Sequence, residues 1–261
     1  MAELNLIKEI AEQVLLAPSP KGTPDRFLID RANRILRHCA GIARLNEVRC
    51  FQLDQECLSV AALFRDAGFA RYASETDKTA RLVLADLTDH DMRDFSTQIV
   101  QEKLADLLNP RQMERVCSTI IESGVRSTKL IEAMILSDAR NLEDMGAVGI
   151  FHEMRRYVAH GRGATEALAG WKRKLDYDYW AARLHESFRF DTVRRLAQQR
   201  LEVTTHFMEQ LERENRAADL EDLLLEQQLA EPPPARVGEP DPIRLSSVSS
   251  LARRRKARAG A

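Results

Sequence analysis

Two aspartates close the two most apolar stretches of this chain. The run Leu58 to Phe64, within LSVAALFRDAGFARY, ends in Arg65-Asp66, and the run Leu130 to Leu136, broken by Glu132, leads to Asp138. A helix C-terminus carries partial negative charge, so an acid there calls for a positive group nearby. A metal ion, a histidinium or an arginine would each serve. His38 lies on the flank of another apolar stripe. Histidine and carboxylates together suit divalent metals, so His38, Asp66 and Asp138 are the candidate ligands for manganese, iron or magnesium. The competing expectation makes both acids ion-paired structural residues and His38 a neutral histidine at the core edge. His90, His152, His160, His185 and His206 lack ligand spacing, and His152 and His160 read as surface or helix-end residues.

The elements that would position these residues are helical. Leu4, Ile7, Ile10, Ala11, Val14 and Leu15 form an amphipathic stripe, and Leu28, Ala32, Ile35, Leu36, Cys39 and Ala43 form another. Thr23-Pro24-Asp25 reads as a helix start, and so does Asn109-Pro110. The Leu58–Phe64 stretch is apolar on nearly all sides and belongs at the centre of a core. Residues 70 to 92 read as a loop with a short helix, and Ser96 to Leu108 as an amphipathic helix. Long helices are expected over Thr165–Glu186 and Asp191–Glu231, with Tyr177, Tyr179 and Trp180 packing between them.

Composition narrows the function classes. Of 261 residues, 44% are hydrophobic and 30% charged, which suits a well-cored globular chain. The net charge of −1 gives no global attraction to nucleic acid or anionic membrane. No apolar run reaches transmembrane length, and the first residues do not form a signal peptide, so a cytoplasmic protein with no membrane partner is expected. Four cysteines without CxxC pairing read as reduced core residues. From Pro232 the chain turns Pro- and Ser-rich and ends with five basic residues among the six from Arg253 to Arg258. This tail is expected to be disordered. Any nucleic-acid contact is expected there alone.

The ordered set His38, AALFRDAGF and ILSDARNLEDMGAVGIF resembles the HD-domain superfamily of metal-dependent phosphohydrolases. RDFSTQIVQEKL, TIIESG and YWAARLHESFRFDTVRRLAQQRLEVTTHFMEQL resemble further segments of one bacterial subgroup, so the likeness spans about residues 25 to 213. It implies an all-α, HD-type helical bundle and a metal that activates water for attack on phosphate. The departures fall on the ligands. The family's paired histidine is Arg65, two further histidines fall on Arg93 and Glu122, and the second acid of its DAD triplet is Arg140. Arginine stays protonated and does not ligate metal. The resemblance therefore implies that Arg65 and Arg93 supply the positive charge of the lost ion, with Asp66, Asp138 and Glu122 around them.

The expected organisation is an N-terminal helix and linker over 1–22, an HD-like helical domain over 23–231 and the tail over 232–261. The expected function is a pseudoenzyme without a cofactor, binding an anionic small molecule or a protein. Arg65, Arg93 and Glu122 form its ligand-binding or ion-pair network. The alternatives are a divergent phosphohydrolase acting on a nucleotide or other phosphate ester, with a divalent metal at His38, Asp66 and Asp138, and a purely structural helical adaptor working through its tail and the long final helix.

Overall fold

The computed structural model describes residues 2–16, 24–75 and 88–229. Among them it has twelve helices and no strand. None of these helices is long and apolar enough to cross a membrane. The tail from Pro232 and the residues Pro18 to Thr23 lie outside the described set. The chain divides into two compact units, residues 1–216 and 217–261.

In the first unit, α1 (Ala2–Leu15) buries Ile7, Ala11 and Leu15. It packs on α2 (Phe27–Ile42), α3 (Gln55–Phe64) and α4 (Ala67–Glu75), so it is part of the same core. The central helix is α3, which buries Cys57, Leu58, Val60, Ala61, Ala62, Leu63 and Phe64. That accounts for its all-round apolar sequence. Around it lie α2, α5 (Asp89–Lys103), α6 (Pro110–Glu122) and α7 (Ile131–Leu142). The Asn109-Pro110 start holds: Asn109 and Gln112 form a reciprocal capping box. Asp25 accepts from the Phe27 N–H at the start of α2.

Glu132, the acid inside the second apolar run, is fully buried. It accepts from the Asp54 N–H just before α3 (2.8 Å) and from Arg115 of α6 (2.8 Å). It thus satisfies a backbone donor of one helix and a guanidinium of another. The second apolar run is therefore joined to α3 and α6 by charge as well as by packing.

Helix α8 (Gly146–Ala159) follows a turn in which Gly146 has φ +73°, a conformation that favours glycine. The Gly146 N–H donates to Thr204 of α11 (Asp191–Asn215), which packs on α8. Between them run α9 (Ala164–Asp176) and α10 (Tyr179–Ser187).

Three boundaries differ from the sequence expectation. The Thr165–Glu186 helix is broken at Asp178, and the final long helix at Ala217, both at positive φ. Helix α5 begins at Asp89 rather than Ser96, because Thr88 caps it by accepting from the Asp91 N–H. The cysteines are free, with Cys39 and Cys57 buried but Cys50 exposed. In the second unit, α12 (Ala218–Leu229) exposes Leu220, Leu223, Leu224 and Leu225.

Candidate functional site

Asp66 is where the α3 terminus meets its counter-charge. Its Oδ2 accepts from Arg31 Nε and its Oδ1 from Arg65 Nη1, both at 2.6 Å, with all three side chains nearly sealed from solvent. Burial alone would raise its carboxyl, but Arg31, Arg65 and Arg140 together overcome this and hold it below the usual carboxylate range. The end of α3 is fixed by Ser96 of α5. Its hydroxyl faces the Arg65 carbonyl at 2.9 Å and accepts from the Gly68 N–H at 2.8 Å. The same hydroxyl lies 2.8 Å from the Met92 carbonyl of its own helix, so its one proton is shared between the two carbonyls.

The pairing continues in both directions. Arg65 Nη2 reaches Asp89 (2.7 Å), and Asp89 also takes Arg93. On the other side Arg31 Nη2 lies 4.0 Å from Asp144, which is bound by Arg140 and Arg183. The result is a ladder of alternating charge running Arg93, Asp89, Arg65, Asp66, Arg31, Asp144, then Arg140 and Arg183. It holds five arginines and three aspartates, an excess of two positive charges. The Nε atoms of Arg65, Arg93, Arg140 and Arg183 are buried without a hydrogen-bond partner.

His152 joins this ladder to a second pair. Its Nδ1 faces Arg31 Nη1 (3.2 Å) and its Nε2 faces Arg34 Nη2 (3.0 Å), while Arg34 Nε donates to Glu143 (2.9 Å). Burial, then the charges of Arg31 and Arg34, lower His152 to about 3. The neutral ring can accept at only one of its nitrogens. The sequence reading of His152 as a surface residue is thus corrected: it packs edge-on to Phe27, with ring centres 4.9 Å apart, inside the charged network. His160 does end its helix, as read.

His38 and Asp138 have other surroundings. His38 Nε2 faces Arg200 Nη2 at 3.2 Å, and its Nδ1 is 3.6 Å from the fully buried Glu143. Burial, with Arg200 next, lowers the imidazole to about 4, so it is neutral. Burial likewise raises Glu143 above its ordinary range despite Arg31 and Arg34. Asp138 accepts from the backbone N–H groups of Arg189 (2.9 Å) and Phe190 (3.1 Å), which lead into α11. Burial pushes its carboxyl up to about 6 in spite of these donors.

The three candidate ligands therefore keep separate partner sets. Both Asp66 oxygens hold guanidinium groups, His38 has its Nε2 directed at Arg200, and Asp138 holds the backbone N–H groups of Arg189 and Phe190 just before α11. Among the described residues, no group of three His, Cys, Asp or Glu side chains is placed to hold a metal ion. The donor set does not fit one. Arg65 and Arg93 do meet acids, Asp66 and Asp89. Glu122 instead accepts from Thr128 Oγ1 and forms no ion pair with Arg65 or Arg93.

Beside the ladder, a cavity of about 320 Å³ has Arg140, Asp144, His152 and Glu153 in its lining, together with Trp171, Lys174, Tyr179 and Trp180. Trp171 and Trp180 lie 5.4 Å apart between ring centres. The Lys174 ammonium sits 5.3 Å from the Trp180 ring centre. The aromatic residues expected as packing between helices thus wall a cavity, and Tyr177 is 81% exposed.

Sequence reasoning missed Arg31, Arg34, Asp144 and His152 as members of this site. A signal existed for Arg31: it stands three residues after Leu28 and four before Ile35, on the buried stripe of α2.

No family model and no curated protein matches the chain. Solved structures do. Bacillus subtilis YpgQ in complex with ADP is 23% identical with a TM-score of 0.55, over 82% of this chain and 95% of that one. Lin1889 of Listeria innocua is 17% identical with a TM-score of 0.54, over 82% and 96%. A Lactobacillus plantarum protein is 18% identical with a TM-score of 0.51, over 83% and 98%. The chain has the helical fold of these YpgQ-like proteins.

Proposed function

We propose that this chain is a degenerate HD-domain protein without metal-dependent catalysis that binds an anionic, phosphate-bearing small molecule. The observation that carries this reading is the ladder's surplus of two positive charges beside a cavity. A phosphate group carries a comparable negative charge, and arginine forks suit its oxygens. Arg65, Arg93 and Arg140 are the residues assigned to the anion, while the aromatic wall with Lys174 would take a ring. The YpgQ structure with ADP motivates the choice of probe. Free cysteines agree with a cytoplasmic location.

The catalytic alternative needs free donors converging on one ion, and Asp66, His38 and Asp138 already serve three different groups. Calorimetric titration of ADP and of inorganic pyrophosphate, with and without a chelator, tests the reading. Saturable binding that survives chelation and weakens with added salt is expected. Binding or phosphate-ester hydrolysis that requires a divalent metal would overturn it.

A further inference from the structure

Asp89 differs from the other acids of the ladder. Asp66 is 2% exposed, whereas Asp89 is 54% exposed, although its partners Arg65 and Arg93 are only 3% and 11% exposed. Its two oxygens are shared out, Oδ1 to Arg65 Nη2 and Oδ2 to Arg93 Nη1. One oxyanion bridging two guanidinium groups is the arrangement that a phosphate would adopt there. Burial would raise the Asp89 carboxyl, yet Arg65, Arg140 and Arg93 together hold it low, so the field at this point favours negative charge.

The arginines are held by the fold rather than by Asp89 alone. Arg65 is anchored on Asp66 through Nη1, with the Met92 sulfur 3.8 Å away. Arg93 lies against the bare backbone of Gly124, where an added Cβ would fall 2.3 Å from its Cζ. If the Asp89 side chain swung away into solvent, Arg65, still paired with Asp66, and Arg93, packed against Gly124, would be left without their shared carboxylate.

We propose that the Arg65–Arg93 pair is an oxyanion site and that the Asp89 carboxylate is its built-in occupant, displaced when a phosphate group binds. This rests on the anion-binding reading above and adds its regulation: the protein carries its own competitor, which sets the affinity. Displacement is cheap in desolvation because Asp89 is already half in water. The same exchange at Asp66 would strand a sealed charge pair.

The test is titration of inorganic pyrophosphate into wild type, Asp89→Asn, Asp89→Ser and Asp91→Asn, with thermal melts to establish folding. Both Asp89 variants should bind at least about tenfold tighter than wild type, equivalent to about 1.4 kcal/mol. Asp91→Asn removes a charge from the same helical turn without freeing the site, and it should change affinity far less. Adding Gly124→Ala to Asp89→Asn should abolish the gain, because the methyl group displaces the Arg93 guanidinium. Binding by the Asp89 variants alone would also support the proposal. Wild-type binding that Asp89→Asn leaves equal or weaker would overturn the proposal while leaving the anion reading standing. An equal gain in Asp91→Asn would also overturn it, since the effect would then be general charge. No binding by any variant would overturn the anion reading and this proposal with it.

Discussion

Asp66 and Asp138 enter the structure from the same sequence context, an apolar helical run with an acid at its end, and meet opposite fates. Asp66 is gripped by two guanidinium groups that hold its carboxyl low. Asp138 is buried as deeply but faces two backbone N–H groups, and its carboxyl rises to about 6. The apolar run fixes the burial of the acid. The element packed opposite decides whether it pairs with charge or with backbone dipoles. At Asp66 that element is α2, bringing Arg31, and at Asp138 it is the turn into α11.

The largest effect expected from breaking this contrast is at Arg31. Arg31→Ala leaves Asp66 sealed with one partner and removes a neighbour of Asp144 and His152. It should destabilise the protein by about 3–5 kcal/mol in denaturant unfolding. A loss of a few tenths would mean that Arg65 alone suffices.

Asp138 comes next. Asp138→Ala orphans two backbone donors and should cost on the order of 2 kcal/mol, whereas Asp138→Asn keeps an acceptor and should cost little at pH 7. The two sites also predict opposite pH slopes. The folded Asp138 titrates near 6 against an ordinary 3.8, so the native state takes up a proton first, and wild type gains stability as pH falls through that window. Asp138→Asn lacks this gain. Its stability relative to wild type should therefore decline between pH 7 and pH 4 by on the order of 2 kcal/mol. The depressed Asp66 behaves in the reverse sense: its contribution is present above its unfolded value and is lost as pH falls below about 3.8. Parallel pH profiles for wild type and Asp138→Asn would contradict the assignment.

Arg93 should show the smallest effect on stability. Its partner Asp89 is half exposed, so Arg93→Ala should cost less than about 1 kcal/mol in a thermal melt. The same variant should lose pyrophosphate binding. A large stability loss would mark Arg93 as structural and weaken its assignment to the ligand.

The local signals that survived into the structure are those with a mechanism inside one helix. Asn109-Pro110 predicted a capped start because both side chains act on adjacent backbone. The acid after Phe64 predicted a positive partner from the helix field, and Arg65 provides one. The breaks at Asp178 and Ala217 were not legible, since neither is a glycine or proline and each adopts positive φ in its own context. The site was half legible. Arg65, Arg93 and Arg140 stand out by resemblance and Arg31 only by its place on the buried stripe of α2, whereas His152 reads as a surface or helix-end residue until α8 sets it against Arg31 and Arg34. The expected convergence of His38, Asp66 and Asp138 rests on the resemblance and on two apolar runs that each end in an acid, and neither signal names the partner that each side chain meets.

The proposed absence of metal chemistry rests on Arg31 and Arg65 occupying both oxygens of Asp66. Elemental analysis of purified protein, after equilibration with manganese, iron or magnesium and removal of the excess, tests it most directly. No stoichiometric metal is expected, and the thermal midpoint should be the same with or without chelator. One equivalent of tightly held metal, lost in Asp66→Asn and accompanied by hydrolysis of a phosphate ester, would contradict it.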